Sequence, residues 1–137
     1  MINNKKILIL APHTDDGEFG CGGSIAKFIE QGAGVYYAAF SLCEESVGLR
    51  WPKDVLEKEL RQATKVGGIP PENLLIYRYP VRRFAEHRQD ILEDLVRLYK
   101  DLKLEPTLVY LASLKGMDEK AARSRLQGWL ERVDLAE

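Results

Sequence analysis

The 137-residue sequence predicts an α/β fold of three layers, in which helices cover both faces of a mostly parallel sheet of about four strands. Two observations support this fold class. Short apolar runs of strand length alternate with segments whose apolar residues recur every three to four positions, and glycine or proline stands at most boundaries. Alternating strands and helices favour parallel pairing with right-handed crossovers. One domain, residues 1–137, is expected, because single domains cluster at about 100–150 residues.

The first elements come from the N-terminal third of the chain. Residues 6–11, KILILA, form a continuous apolar run that stops at Pro12, which is typical of a strand buried on both faces. The glycine-rich stretch over residues 17–23 predicts a flexible turn, and helical spacing of apolar residues predicts a helix over residues 24–31. Residues 35–43, VYYAAFSLC, are rich in aromatic and small apolar residues and predict the second strand.

The later elements continue the alternation. The patterns predict a helix over residues 52–66, a strand over residues 74–79, a long amphipathic helix over residues 91–102, a strand over residues 107–112 and a closing helix over residues 115–137. Together these elements make a Rossmann-like domain with a C-terminal helix the expected architecture.

Composition and charge narrow the expected partners. With 20 basic and 21 acidic residues the formal net charge is -1, so no global field draws the chain to nucleic acid or an anionic membrane. No apolar run approaches the roughly 20 residues of a membrane-spanning helix, and the first residues, MINNKK, lack the apolar core of a signal peptide. We therefore expect a cytoplasmic protein that binds a small molecule, while an exposed sheet edge is also compatible with an oligomer. Cys21 and Cys43 are expected to be free thiols that pack as small apolar residues.

The residues after the first predicted strand carry a candidate site. In open α/β sheets, ligands bind beyond the carboxyl ends of the strands, and His13, Asp15 and Asp16 follow directly at that end. A catalytic zinc ion accepts imidazole and carboxylate ligands and usually has three of them from the protein, of which His13 and Asp16 would supply two. Asp15 would then act as the base in amide or ester hydrolysis.

Two other interpretations use the same residues. Asp15 or Asp16 could cap the first helix, with His13 as a polar residue of a tight turn, in a non-catalytic binding or structural module. A glycine-rich turn between strand and helix also suggests a nucleotide site. This second alternative is weaker, because the third glycine of GxGxxG would fall at Ile25 and no Lys-Ser/Thr pair follows.

The stretch APHTDDGEFGCGGSIAKFIEQG resembles the opening of the LmbE-like (PIG-L) zinc-dependent deacetylases, whose signature is His-Pro-Asp-Asp before a glycine-rich helix start. Thr14 stands where proline is usual, and the similarity covers roughly residues 1–114. The resemblance implies that His13 and Asp16 bind Zn²⁺ and that Asp15 is the general base. It also implies substrates of the N-acetylglucosamine type or other N-acylated amines.

The chain departs from the family after residue 114. The resemblance implies an HxxH segment that supplies a third metal ligand and a catalytic histidine, whereas here Asp118 stands in register with the first of these histidines and Ala121 in register with the ligand. The Asp118 carboxylate can replace the ligand or simply lie in the first turn of the closing helix. We expect an impaired or inactive hydrolase, and residues 115–137 are consistent with a truncated, recombined or engineered derivative.

Two further side chains outside the stretch APHTDDGEFGCGG are assigned. Arg50, beside Trp51 and beyond the second predicted strand, is a candidate substrate-binding residue, with an ordinary surface loop as the alternative. His87, near the start of the long helix, is expected to be a solvated surface histidine.

Overall fold

A computed structural model describes residues 3–104 and Ser124, and the chain separates into two compact units, Met1–Leu102 and Lys103–Glu137. The strand predicted over residues 107–112 and the closing helix predicted over residues 115–137 lie outside the described residues, apart from Ser124, which is helical and exposed. The prediction of a single domain stays a prediction.

Three strands and three helices alternate in the described part of the first unit: β1 Lys6–Ala11, α1 Asp16–Glu30, β2 Gly34–Ala39, α2 Val55–Val66, β3 Leu74–Ile76 and α3 Arg88–Leu102. The strands are parallel and lie in the order β1-β2-β3, which confirms the predicted α/β class with a parallel sheet. Within residues 3–104, no helix has the length and apolarity needed to cross a membrane.

The two faces of the sheet bury different side chains, because successive strand residues point to opposite sides. The odd-numbered residues of β1 and β2 pack with α1 and α2 in one core cluster, which includes Ile7, Ala11, Ile25, Phe28, Val35, Tyr37, Ala39 and Leu60. The even-numbered positions Leu8 and Ala38 pack on the opposite face with Phe40 and with Leu98 of α3. The predicted layering of helices on both faces is therefore observed.

The first helix begins eight residues earlier than its apolar spacing predicted. The turn expected over residues 17–23 is wrong, because these glycines lie inside α1. The helix is irregular at Cys21, where φ is -151° and ψ is 24°, so the glycine-rich part accommodates a kink. Glycine disfavours helices in isolation, but packing of the helix on the sheet overrides that weak local preference.

The other boundaries shift by a few residues. Compared with the predicted limits, β2 ends at Ala39, β3 ends at Ile76, α2 begins at Val55 and α3 begins at Arg88. Pairing of the second and third strands nevertheless continues past their ends, since Tyr77 N–H donates to Ala39 O (2.8 Å) and Tyr79 N–H to Phe40 O (3.0 Å). The segments after β2 and β3 therefore stay side by side at the carboxyl edge of the sheet.

Candidate active site at the carboxyl edge of the sheet

Three segments meet the carboxyl edge: the β1 turn (residues 12–15), the β2 loop (residues 40–54) and the β3 loop (residues 77–87). The β1 turn is bonded to the β2 loop, because Phe40 N–H donates to Ala11 O (2.9 Å) and Ser41 N–H donates to Pro12 O (3.0 Å). Parallel pairing thus brings the polar residues that follow β1 to the edge where open α/β sheets bind ligands.

His13 and Asp16 form a pair at this edge. The Asp16 carboxylate accepts the backbone N–H of His13 at 2.8 Å, and the same oxygen, Oδ2, lies 3.0 Å from His13 Nδ1. Both side chains are partly exposed, at 40% and 43% of their full accessible area. The bond from the His13 backbone directs the carboxylate back toward the imidazole, and both groups remain accessible from solvent.

The carboxylates of the motif are not used as helix caps. Asp15 occupies the N-cap position of α1, but its side chain makes no capping hydrogen bond, and its backbone carbonyl accepts the N–H of Phe19 at 3.1 Å. Asp16 is the first residue of the helix, and its carboxylate bonds to His13. The interpretation of either aspartate as a side-chain cap is therefore wrong, and the Asp15 side chain is exposed at the edge.

Tyr37 supports residues 14–18 from the interior of the protein. This residue was not identified from the sequence. Its hydroxyl accepts the Gly17 N–H at 3.0 Å and lies 2.9 Å from Glu18 Oε2 and 3.2 Å from Thr14 O, so its single proton is donated to one of these oxygens. The side chain is fully buried. Burial raises the pKa of the Tyr37 phenol, and its bond to Glu18 raises it further. A tyrosine in a core strand needs hydrogen-bond partners for its hydroxyl. This requirement was the feature of the sequence that could have indicated the role of Tyr37.

Gly17 provides the space that Tyr37 occupies. A Cβ added at this position would lie 2.6 Å from the Tyr37 hydroxyl oxygen and 2.7 Å from Cζ. Glycine is therefore required here by close approach.

Cys43, treated in the sequence as a small apolar residue, lies in the β2 loop near the motif. Its backbone is left-handed, with φ of 53°. Burial raises the pKa of its thiol, and the negative charges of Asp15 and Asp16 add to the increase. Burial outweighs the opposing hydrogen bonds with Ser41 and Thr14 and, with a smaller contribution from the two aspartates, favours the neutral thiol of Cys43.

The β3 loop contributes an aromatic ring to the site. The Phe84 ring stacks on the His13 imidazole, with centroids 6.0 Å apart and an interplanar angle of 16°. His87, expected to be a solvated surface histidine, is partly exposed, and its ring lies 5.7 Å from the Tyr79 ring while its Nδ1 lies 3.3 Å from Asp90 Oδ2. Of the two histidines in the chain, only His13 is in the β1 turn.

The remaining candidates lie apart from this pair or outside the described residues. The Arg50 guanidinium lies 5.6 Å from the centre of the exposed Trp51 ring, and no described contact joins it to His13 or Asp16. Asp118 lies outside the described residues. A small open cleft of about 70 Å³ lies between the β2 and β3 loops, lined by Ser41, Leu42, Cys43, Glu44, Glu45, Arg78, Tyr79, Pro80 and Val81.

The donor chemistry of the His13 and Asp16 pair fits a divalent cation in part. Imidazole nitrogen and carboxylate oxygen are common zinc ligands, and two ligand atoms on one tetrahedral zinc ion lie roughly 3.3 Å apart. The observed separation is 3.0 Å. Within residues 3–104 and Ser124, no three His, Cys, Asp or Glu side chains group so that they could hold a metal ion. The described site therefore offers two donors.

Comparisons with known proteins show the family and the fold to which this chain is similar. The model of the family described as PIG-L, GlcNAc-PI de-N-acetylase, matches residues 8–121. The crystal structure of the conserved protein TT1542 from Thermus thermophilus matches with a TM-score of 0.57 and 27% sequence identity, over 72% of this chain and 43% of that chain. This chain thus spans less than half of the length of that protein. No curated protein matches the sequence at a significant level.

Proposed function

Because the chain belongs to the PIG-L family of GlcNAc-PI de-N-acetylases, we propose that it hydrolyses the N-acyl group of an N-acetylglucosamine-type sugar or related amine with the help of Zn²⁺. The family is generally metal-dependent. The observation that carries the proposal is the pairing of the His13 imidazole and the Asp16 carboxylate, 3.0 Å apart and partly exposed at the carboxyl edge of the sheet.

His13 and Asp16 are the proposed metal ligands. When bound, zinc would supply Lewis acidity, which lowers the pKa of water and polarises the amide carbonyl. The bond from the His13 backbone N–H holds the Asp16 carboxylate beside the imidazole before any ligand arrives. Such preorganisation reduces the side-chain freedom that must be lost on binding.

Asp15 is the proposed general base. Its exposed carboxylate makes no capping hydrogen bond to α1, so a carboxylate oxygen is available to accept a proton from the attacking water. The proton would then be passed to the amine nitrogen as the C–N bond of the amide breaks. Because Asp15 directly precedes Asp16 in the chain, base and ligand are placed by the same turn.

The proposed third ligand is the Asp118 carboxylate, and turnover is proposed to be slow. Ala121, at the position of the family's histidine ligand, has no donor atom, and the family match reaches to this residue. His87 is a poor substitute, because the described contacts of its ring are with Tyr79 and Asp90 and none joins it to His13 or Asp16. Arg50 is proposed to contact the polar substrate from the exposed part of the β2 loop.

Zinc titration by calorimetry tests the proposed ligands. Wild type should bind one zinc ion, and Asp16→Asn should bind it at least tenfold more weakly, since even residues that only support metal ligands contribute about 10- to 100-fold to affinity. Asp54→Asn is the matched control, because Asp54 forms an exposed ion pair with Lys58 (2.7 Å). Absence of zinc-dependent heat in wild type, or equal affinity in Asp16→Asn, would refute the metal assignment.

A deacetylation assay on an N-acetylglucosamine derivative tests the role of Asp15. At saturating zinc, Asp15→Asn should lower kcat by about 10²- to 10⁴-fold, the usual contribution of a general base, and leave zinc affinity unchanged. Asp54→Asn again serves as the control. If Asp15→Asn turns over at the wild-type rate, Asp15 is not the base; if wild type itself shows no turnover, the hydrolase proposal fails.

A further inference from the structure

We propose that Phe84 is a positioning residue that fixes the orientation of the His13 imidazole and thereby strengthens metal binding, an inference that rests on the proposed function. The two rings are nearly parallel, at 16°, with centroids 6.0 Å apart. This is the offset-stacked geometry that aromatic pairs prefer, for which separations of about 4.5–7 Å are usual. Phe84 is 71 residues beyond His13 in the chain, so only the fold brings them together.

Phe84 is itself held in place. Its half-buried ring packs against the core cluster of Ala38, Phe40 and Leu98 on the α3 face of the sheet. The backbone around it forms consecutive turns, in which Arg83 N–H donates to Pro80 O (3.0 Å) and His87 N–H donates to Phe84 O (3.1 Å). A ring with these constraints can transmit the rigidity of the core to a partly exposed imidazole.

The imidazole is thus restrained in two directions. Asp16 Oδ2 lies beside its Nδ1 edge at 3.0 Å, and the Phe84 ring lies nearly parallel to it with the ring centroids 6.0 Å apart. With the Asp16 contact alone, the His13 ring could still rotate about the line that joins Nδ1 and Oδ2. The stacked Phe84 ring limits this rotation. The Phe84 ring has no nitrogen or oxygen atom, so it restrains the histidine without competing for the donor atoms.

The first test measures the His13 rotamer by NMR in the metal-free protein. Wild type should show NOEs between Phe84 and His13 ring protons and unaveraged Hα–Hβ couplings for His13. Phe84→Leu should give averaged couplings, and Phe84→Tyr, which keeps the ring, should restore the wild-type values. The chain has only two histidines, which makes the assignment direct.

The second test measures zinc affinity by calorimetry in the same variants. We expect Phe84→Leu to bind zinc about tenfold more weakly and Phe84→Tyr to bind within twofold of wild type, since supporting residues contribute about 10- to 100-fold. The matched control is Leu60→Ala, because Leu60 is buried in the core cluster on the opposite face of the sheet, which does not include Phe84. This control should lower the melting temperature without changing zinc affinity.

The results separate this inference from the proposed function. Unchanged couplings and unchanged zinc affinity in Phe84→Leu would overturn the role of Phe84 even if wild type binds zinc tightly. A reduced affinity that also occurs in Leu60→Ala would assign the effect to general destabilisation and overturn it as well. If wild type binds no zinc, the proposed function fails, and the couplings alone decide whether Phe84 fixes the imidazole.

Discussion

The β1 turn and the β2 loop lie at the same edge of the sheet but are held in different ways. The β1 turn and the first residues of α1 rest on the buried Tyr37 hydroxyl, which contacts Thr14, Gly17 and Glu18. The β2 loop begins with the buried residues Phe40, Ser41 and Leu42, but its outer part is tied at the surface, where Arg78 pairs with Glu44. The segment with the candidate ligands is therefore the more rigidly supported of the two.

The difference has a physical basis in burial. A buried polar group that loses its partner costs about 1–3 kcal/mol, whereas an exposed ion pair contributes about 0–1 kcal/mol because water and salt screen it. The β2 loop also carries a fully exposed Leu49 and a mostly exposed Trp51. Substitutions should accordingly have larger effects under the β1 turn than in or beside the β2 loop.

The largest expected effect is that of Gly17→Ala. The added Cβ would lie 2.6 Å from the Tyr37 hydroxyl oxygen, so the buried ring or the helix must move. Overpacking of this kind costs about 3 kcal/mol in the free energy of unfolding, measured by urea denaturation. Zinc affinity should fall with it, because the displaced first turn of α1 carries Asp16.

Gly23→Ala is the matched control for this substitution. Gly23 lies in the same helix, and an added Cβ there meets nothing within 4 Å. Alanine should stabilise the helix by about 0.5–1 kcal/mol, because glycine has the lower helix propensity. If Gly17→Ala were as stable as this control, Tyr37 would not hold the β1 turn rigidly.

Tyr37→Phe should have the next largest effect. It removes the hydroxyl that accepts the Gly17 N–H at 3.0 Å and leaves this buried donor without its partner. The expected loss in the free energy of unfolding is about 2 kcal/mol by chemical denaturation. Tyr36→Phe, on the neighbouring half-buried residue, should change stability by less than about 0.5 kcal/mol. Equal losses of stability in Tyr37→Phe and Tyr36→Phe would contradict the conclusion that the buried Tyr37 hydroxyl supports the β1 turn.

The alkaline pH dependence gives this prediction a second readout. Because folding raises the Tyr37 pKa above its usual value of 10.0, the folded state favours the protonated phenol. Its contribution to stability is fully present below pH 10 and is lost as the pH rises through the raised folded-state pKa. The stability difference between wild type and Tyr37→Phe should therefore shrink above pH 10.

The sequence predicted the fold where a local pattern decides the structure. The apolar run at residues 6–11 became β1 with the same limits, because a short continuous apolar run that ends at proline indicates a strand from local sequence alone. The predicted start of α1 was wrong, because glycine has a low helix propensity and the local sequence therefore did not indicate that residues 17–23 are helical. The position of Gly17 in particular depends on its contact with Tyr37, which is 20 residues away in the chain.

The candidate site, like the fold, was predictable where the local sequence decides the structure and not where contacts between distant residues decide it. The proximity of His13 and Asp16 was predictable, because the end of a strand and a three-residue spacing place both at one edge. Phe84 was not predictable, since its contact with His13 depends on the path of the β3 loop. The roles of His13, Asp15, Asp16, Arg50 and Asp118 stay predictions until the zinc and deacetylation measurements are made.

The smallest expected effect is that of Arg78→Met, which tests the surface side of the comparison. Arg78 pairs with Glu44 and, at 2.7 Å, with Glu57, and its own side chain is 58% exposed. Glu57 also keeps its ion pair with Arg61 at 2.8 Å, so the loss in stability should stay below about 1 kcal/mol. The loss should nearly vanish in 1 M salt, where the screening length falls to about 3 Å from about 10 Å at 0.1 M. A loss as large as that of Tyr37→Phe, or one that persists at high salt, would mean that the β2 loop is as firmly anchored as the β1 turn.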